Sequence, residues 1–181
     1  MPHVIQPAPT ARAKCRGCGK KIEAGELRFG DAVANAFGDG DALHWFHLLC
    51  GSYKRPETFL AAIEARTEPL EDADRLIAAA RFGIAHRRVP RIDGAERAPT
   101  GRSRCRSCRG AIDKGAWRAR LVFFEEWRFV PSGAIHPGCA RDYFETIDIL
   151  ARIQHFAPDL TEEELKDIDV ELARPKPEPS D

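Results

Sequence analysis

Long apolar runs are missing from this 181-residue sequence, and none approaches the roughly 20 residues that a membrane-spanning helix needs. The opening residues Met1-Pro2-His3-Val4-Ile5-Gln6 lack the basic-then-apolar layout of a signal peptide, so a cytoplasmic location is the default expectation. Net charge is also absent, with 28 Lys and Arg balancing 28 Asp and Glu. Methionine occurs once and tyrosine twice. No nucleophile stands beside an attendant base, and no metal position is left spare for a substrate, so the chain is not expected to be an enzyme. What remains is an ordinary globular composition, 43% hydrophobic and 31% charged, over a length that suits one domain or two small ones.

The zero net charge conceals a separation. Residues 1–130 carry 23 Lys and Arg against 16 Asp and Glu, a net +7, whereas residues 131–181 carry 5 against 12, a net −7. The stretch 86–120 is the most basic, with 11 cations and 3 anions.

Six cysteines in a reducing compartment point to metal or redox chemistry rather than disulfides. Their placement is a repeat. Cys15-x-x-Cys18 returns 90 residues later as Cys105-x-x-Cys108, and His47-x-x-Cys50 returns 89 residues later as His136-x-x-Cys139. The surroundings repeat too: Arg12 matches Arg102, Arg28 matches Arg118, and Phe59–Ile63 matches Ile149–Ile153. Three thiolates and one imidazole form a closed tetrahedral set suited to Zn²⁺, so two structural zinc ions are expected. A disulfide or a thioredoxin-like pair would not need the repeated histidine. His44 is a competing donor three residues before His47, but the second unit has Gly133 in its place. His3, His86 and His155 fall outside the pattern and read as surface residues. Units this small bury little core, and a metal supplies folding energy. Lys14, Arg16, Arg104 and Arg106 would offset the excess charge of the thiolates.

The expected fold class is α+β: two tandem zinc-binding units, each a short antiparallel sheet followed by helices. The boundaries read as a disordered N-terminus at 1–10, unit one at 11–86, a linker at 87–101, unit two at 102–174 and a disordered tail at 175–181. Strands are expected at 26–34 and 116–124, with return strands at 42–46 and 127–130. Phe37 to Asp41 reads as the hairpin tip of unit one. In unit one a helix should begin at Pro56, and a second should span 71–86 with Ala73, Leu76, Ile77, Ala80 and Ile84 inward. In unit two Tyr143, Phe144, Ile147, Leu150 and Ile153 should form one helical face, and Thr161 with Glu164 a capping box.

The run Arg12-Ala13-Lys14-Cys15-Arg16-Gly17-Cys18, then Gly25-Glu26-Leu27-Arg28 and His44-Trp45-Phe46-His47-Leu48-Leu49-Cys50, resembles a PARP-type zinc finger. Unit two resembles it more loosely through Arg102 to Cys108, Trp117-Arg118 and His136-Pro137-Gly138-Cys139. The resemblance implies fingers that recognise DNA nicks, gaps and ends by shape. Arginines would hold the phosphate backbone, and apolar side chains at a loop tip would stack on an exposed base pair. Carried over residue by residue, Arg12, Arg28, Arg102 and Arg118 become phosphate contacts, with Lys14, Arg16, Arg104, Arg106 and Arg120 assisting. A solvated charged face or support for the zinc thiolates is the other reading of these cations. For stacking, a one-residue shift selects Phe37 and Leu43 in unit one, while Trp127, Phe129 and Val130 are the candidates in unit two. Core packing is equally open for each of them. Trp45 reads as core.

No transferase, ligase or phosphatase domain follows the second unit, so the enzyme that acts at a break is expected to be another protein, unless binding alone is the task. The expected partners are DNA carrying strand breaks or ends and the repair proteins that process them, with a monomer as default. A bacterial chain would associate with the nucleoid, and a eukaryotic one would sit in the nucleus. The alternatives are a zinc-stabilised protein-interaction module that has lost DNA binding, which the acidic C-terminal region favours, and a general RNA or nucleic-acid binder.

Overall fold

The computed structural model describes residues 2–34 and 40–174 and divides into two compact units, residues 1–90 and 91–181. The expected tip residue Phe37 and the expected disordered tail at 175–181 lie outside the described residues. Among the described residues no helix is long and apolar enough to cross a membrane.

Unit 1 contains an antiparallel sheet of β1 (Val4–Pro7), β2 (Leu27–Ala34) and β3 (Asp41–His47), in that order. Behind it follow α1 (Leu48–Lys54), α2 (Pro56–Glu64) and α3 (Ala73–Ala85). Alternation explains β2: Phe29 and Val33 point inward and join Phe46 of β3 in the core. Phe29 meets Phe59 of α2 edge-on, with ring centroids 5.3 Å apart. Gly51 lets α1 approach this cluster, since a Cβ there would lie 2.6 Å from the Phe29 ring. Pro56 opens α2 at its first turn, where a missing N–H costs nothing. In α3 the inward residues are Leu76, Ala80 and Gly83, whereas Ile84 of the expected stripe is 39% exposed.

Unit 2 repeats the plan. Its sheet is β4 (Ile92–Arg97), β7 (Trp117–Glu125) and β8 (Arg128–Ile135), with a two-stranded ribbon of β5 (Ser103–Arg104) and β6 (Ala111–Ile112). The helices are α4 (Ala140–Phe144), α5 (Leu150–Phe156) and α6 (Glu162–Ala173). The single helical face expected from Tyr143 to Ile153 is broken, because Glu145 adopts a left-handed φ of 63° and ends α4. Tyr143, Phe144 and Ile153 are nevertheless buried. Thr161 and Glu164 form the expected capping box on α6.

Two expectations about boundaries need correction. Val4–Pro7, expected within a disordered N-terminus, is the first strand of unit 1, and Ile92–Arg97, expected within a linker, is the first strand of unit 2. Both are short and bounded by proline or glycine, which hides them locally. Each is a pairing strand for its sheet, and each leads into the same clasp. Ala8 donates to the Glu26 carbonyl at 2.9 Å and accepts from Gly25 at 2.8 Å; Ala98 does likewise with Ala116 and Gly115, both at 2.8 Å. Ala8 and Ala98 are each 2% exposed and lie 90 residues apart.

Candidate metal centres and nucleic-acid interface

Each Cys-x-x-Cys sits in a tight turn pinned to the sheet. In unit 1 the Cys15 N–H donates to the Lys20 carbonyl at 2.8 Å, and the Arg16 N–H donates to the Trp45 carbonyl at 2.9 Å. In unit 2 Cys105 donates to Gly110 at 2.9 Å and Arg106 to Ala134 at 2.9 Å. The histidines stand where β3 and β8 end, and the last cysteines fall in the first helical turn that follows. Strand end and helix start thus present His and Cys to the two sulfurs of the turn.

The outcome is two four-donor clusters, Cys15, Cys18, His47 and Cys50, then Cys105, Cys108, His136 and Cys139, with all donor atoms within 4.8 Å of one another. His47 Nδ1 lies 3.4 Å from Cys18 Sγ and 3.8 Å from Cys50 Sγ; His136 Nδ1 lies 3.4 Å from Cys108 and 3.9 Å from Cys139. A tetrahedral Zn²⁺ with bonds of about 2.3 Å to sulfur and 2.0 Å to nitrogen requires donor separations of roughly 3.5–3.8 Å. The clusters fit. The other ring nitrogen fixes the tautomer: Nε2–H donates to the Lys21 carbonyl at 3.1 Å in His47 and to the Ala111 carbonyl at 2.9 Å in His136. With a metal at the centre, Nδ1 presents its lone pair to it.

The protonation chemistry calls for a cation. Hydrogen bonds with Cys15 and Cys50 pull the Cys18 thiol well below its usual value. His47 is raised to about 11 by Cys15 and then Cys18. Cys50 is pushed far up by Cys15 and Cys18 and by burial. In unit 2 burial pushes Cys108 up, but the Gly110 backbone, Cys105 and Cys139 bring it below the ordinary value; burial and the Cys105 charge raise Cys139. Three thiolates coexist at such distances only around a dication. Both sites are therefore compatible with structural zinc, with all four positions filled by protein. His44 is not among the donors. Burial, followed by the charge of Arg16, lowers its pKa, and its Nδ1 is buried without a partner among the described residues. His3, expected on the surface, sits half-buried beside the Asp31 carboxylate at 3.2 Å.

Residues 6–82 match the model of the poly(ADP-ribose) polymerase and DNA-ligase Zn-finger region. Unit 1 resembles a PARP-type zinc finger over nearly its whole length. The chain is 31% identical over 142 residues to a poly [ADP-ribose] polymerase of Sarcophaga peregrina, an alignment covering 69% of this chain and 14% of that protein. It is 28% identical over 139 residues to one of Drosophila melanogaster, with the same two shares. The covered share exceeds either unit alone, so the likeness extends into the second finger. The chain spans about 14% of the length of these relatives.

The cations around the first finger line an open groove of about 560 Å³. Arg12, Lys14 and Arg16 stand along it with Leu43 and Trp45. All three cations are exposed, and none pairs with a carboxylate among the described residues. Arg28 is placed differently. It is only 7% exposed, and its guanidinium carbon lies 3.5 Å from the centroid of the Trp45 ring. Burial lowers its pKa, and its Nε has no hydrogen-bond partner among the described residues. Trp45, expected in the core, is half-buried and forms both the groove wall and the platform for Arg28. Gly30 makes room for it, since a Cβ there would lie 2.8 Å from the indole.

The second finger spends its matching cations on itself. Arg118 donates from Nε and from a terminal nitrogen to Glu96 Oε1, at 3.1 and 2.5 Å, and from the other to Ser103 Oγ at 3.2 Å. Arg120 donates to the Asp93 carbonyl at 2.6 Å and lies 3.8 Å from Glu96. Arg106 donates to the Ser132 carbonyl at 2.8 Å, and Arg104 to the Arg109 carbonyl at 3.3 Å. Arg102 is exposed and has no acidic partner among the described residues. At the tip of the β7–β8 hairpin, Phe124 packs on Phe129 at 4.9 Å, and Trp127, 37% exposed, meets Phe124 at 6.3 Å. The aromatic residues expected to stack are thus clustered and accessible.

Proposed function

We propose that this chain binds DNA at strand breaks without reading base sequence. The observation that carries the reading is the first finger's groove, where Arg12, Lys14 and Arg16 have no carboxylate partner among the described residues and stand beside Trp45 and the buried Arg28. A phosphate run satisfies several such cations at once, and its affinity comes from released counterions rather than base contacts. Leu43 of the first finger and the Phe124, Trp127 and Phe129 cluster of the second supply flat or apolar surfaces for a base pair that a break leaves unstacked. Intact duplex offers no such face. On this reading the zinc ions are scaffolding, the chain works where DNA is kept, and repair enzymes act on what it holds.

The test is a binding series on nicked, gapped, blunt-ended and closed circular duplex over several salt concentrations, with and without a zinc chelator. Nicked or gapped DNA should bind more tightly than closed circles. Equal binding to closed circles would end the stacking part of the reading. No binding at low salt would leave a zinc-stabilised protein-interaction module.

A further inference from the structure

Unit 1 has a second groove, of about 420 Å³, that shares no lining residue with the basic one. Its walls are the half-buried Leu27, Leu48, Leu49 and Leu70 and the buried Leu76. The rim carries Glu26, Glu71 and Asp72 against Arg75, which lies 3.8 Å from Asp72, and the zinc ligand His47, whose Nε2 lies 3.9 Å from Glu26 and which is neutral when it holds the metal. Three carboxylates against one guanidinium leave negative charge in excess, so phosphate is repelled here and the groove does not extend the DNA surface. Asp72 stands exposed on this rim. It stands at the start of α3 with a left-handed φ of 56°, and its side chain makes no capping hydrogen bond to the helix. Aspartate at that position ordinarily caps, as Thr161 does at the start of α6.

We propose that this groove docks a basic amphipathic segment of a partner protein, with large apolar side chains among the leucines and Lys or Arg on the carboxylates. A leucine-lined trough accepts the apolar face of such a segment, and the sign of the rim selects its polar face. The inference stands apart from the DNA reading, because the two grooves use different residues.

The test is selection from a random peptide library on the zinc-loaded full chain, followed by fluorescence anisotropy of the selected peptides. Peptides joining large apolar residues to Lys or Arg should emerge, and their binding should weaken with added salt. Leu70→Glu should weaken them about tenfold or more, as expected when a half-buried leucine that the peptide would cover is replaced by a charge. Glu71→Lys, an exposed change that spares the core, should weaken them about threefold or more and flatten the salt dependence. Nicked-DNA binding should be unchanged in both variants. The proposal is overturned if no peptide is enriched, if the selected peptides are acidic or uncharged, or if they survive both substitutions. Self-association abolished by Leu70→Glu would overturn it in favour of a second copy of this chain.

Discussion

Arg28 and Arg118 occupy the same strand position 90 residues apart, yet their surroundings differ in charge. Across the sheet from Arg28 stands Gln6, and across from Arg118 stands Glu96. The neutral neighbour leaves Arg28 to lie on Trp45, whereas the carboxylate draws Arg118 into an ion pair. The next inward-matching pair repeats the contrast. Gly30 and Trp45 face each other in the first finger, while Arg120 and Ala134 do so in the second. Removing the indole removes the platform, and the space goes to an arginine that also turns to Glu96. The two fingers share a metal centre and a strand plan but not a charged surface. One scaffold therefore carries two different faces, because the zinc set constrains the turn and the strand end and leaves the cross-strand partners free to change.

The largest effects lie at the metals, where the two units should behave alike. Cys50→Ala should unfold unit 1 and Cys139→Ala unit 2, each loss being large because structural zinc is worth on the order of 10 kcal/mol in small folds. Chelation should melt both, and acid should do the same as the thiolates take up protons, so zinc occupancy rises with pH. Zinc content and amide spectra across a pH series would check it, and a unit that stays folded without metal would contradict it.

Buried charge should separate the units next. Asp31 is fully buried against Arg55 at 2.6 Å, where unit 2 has Leu121 at the matching position. Asp31→Ala should cost unit 1 about 3 kcal/mol by removing the buried carboxylate that faces the part-buried Arg55 guanidinium. Leu121→Ala should cost unit 2 a similar amount for a different reason, a cavity. A double-mutant cycle followed by thermal unfolding distinguishes them, since only Asp31→Ala should couple to Arg55→Met.

On the proposed DNA-binding reading, the two fingers should differ in affinity. Arg12→Ala or Arg28→Ala should weaken nicked-DNA binding about tenfold and reduce the salt slope by about one. Arg118→Ala should weaken it less and destabilise unit 2 instead, by freeing Glu96. Equal losses of affinity would show that the ion pair opens on DNA.

The smallest effect lies in the cysteine turns. Gly19 has a φ of 73°, and Arg109, one residue beyond Cys108 as Gly19 is beyond Cys18, has 67°. Glycine adopts that region freely, whereas a side chain there costs about 1 kcal/mol. Arg109→Gly should raise the melting temperature of unit 2, and Gly19→Arg should lower that of unit 1.

Much of this was legible beforehand. The ligands were readable because two chelating pairs recur with their spacing, and covalent chain geometry limits what such pairs can do. β2, β3, β7 and the capping box at Thr161 carried their own local signals. β1 and β4 did not, because a four- or six-residue strand with one or two apolar side chains is indistinguishable from a loop until it pairs. The repeated alanines Ala8 and Ala98 held the clue, since a small buried residue at the same offset implies the same backbone clasp. The break at Glu145 was hidden for the opposite reason: helical periodicity continued through a residue whose backbone leaves the helix.

By itself the order of residues determined that two Cys₃His sets would form and that each would be closed, since donor type and spacing admit little else. Only the tertiary structure decided which arginines stay available. That depends on what faces them across a strand, Gln6 or Glu96, and on whether Gly30 leaves room for an indole. Such pairings join residues tens of positions apart, and their energies exist only once the sheet has brought them within a few ångströms.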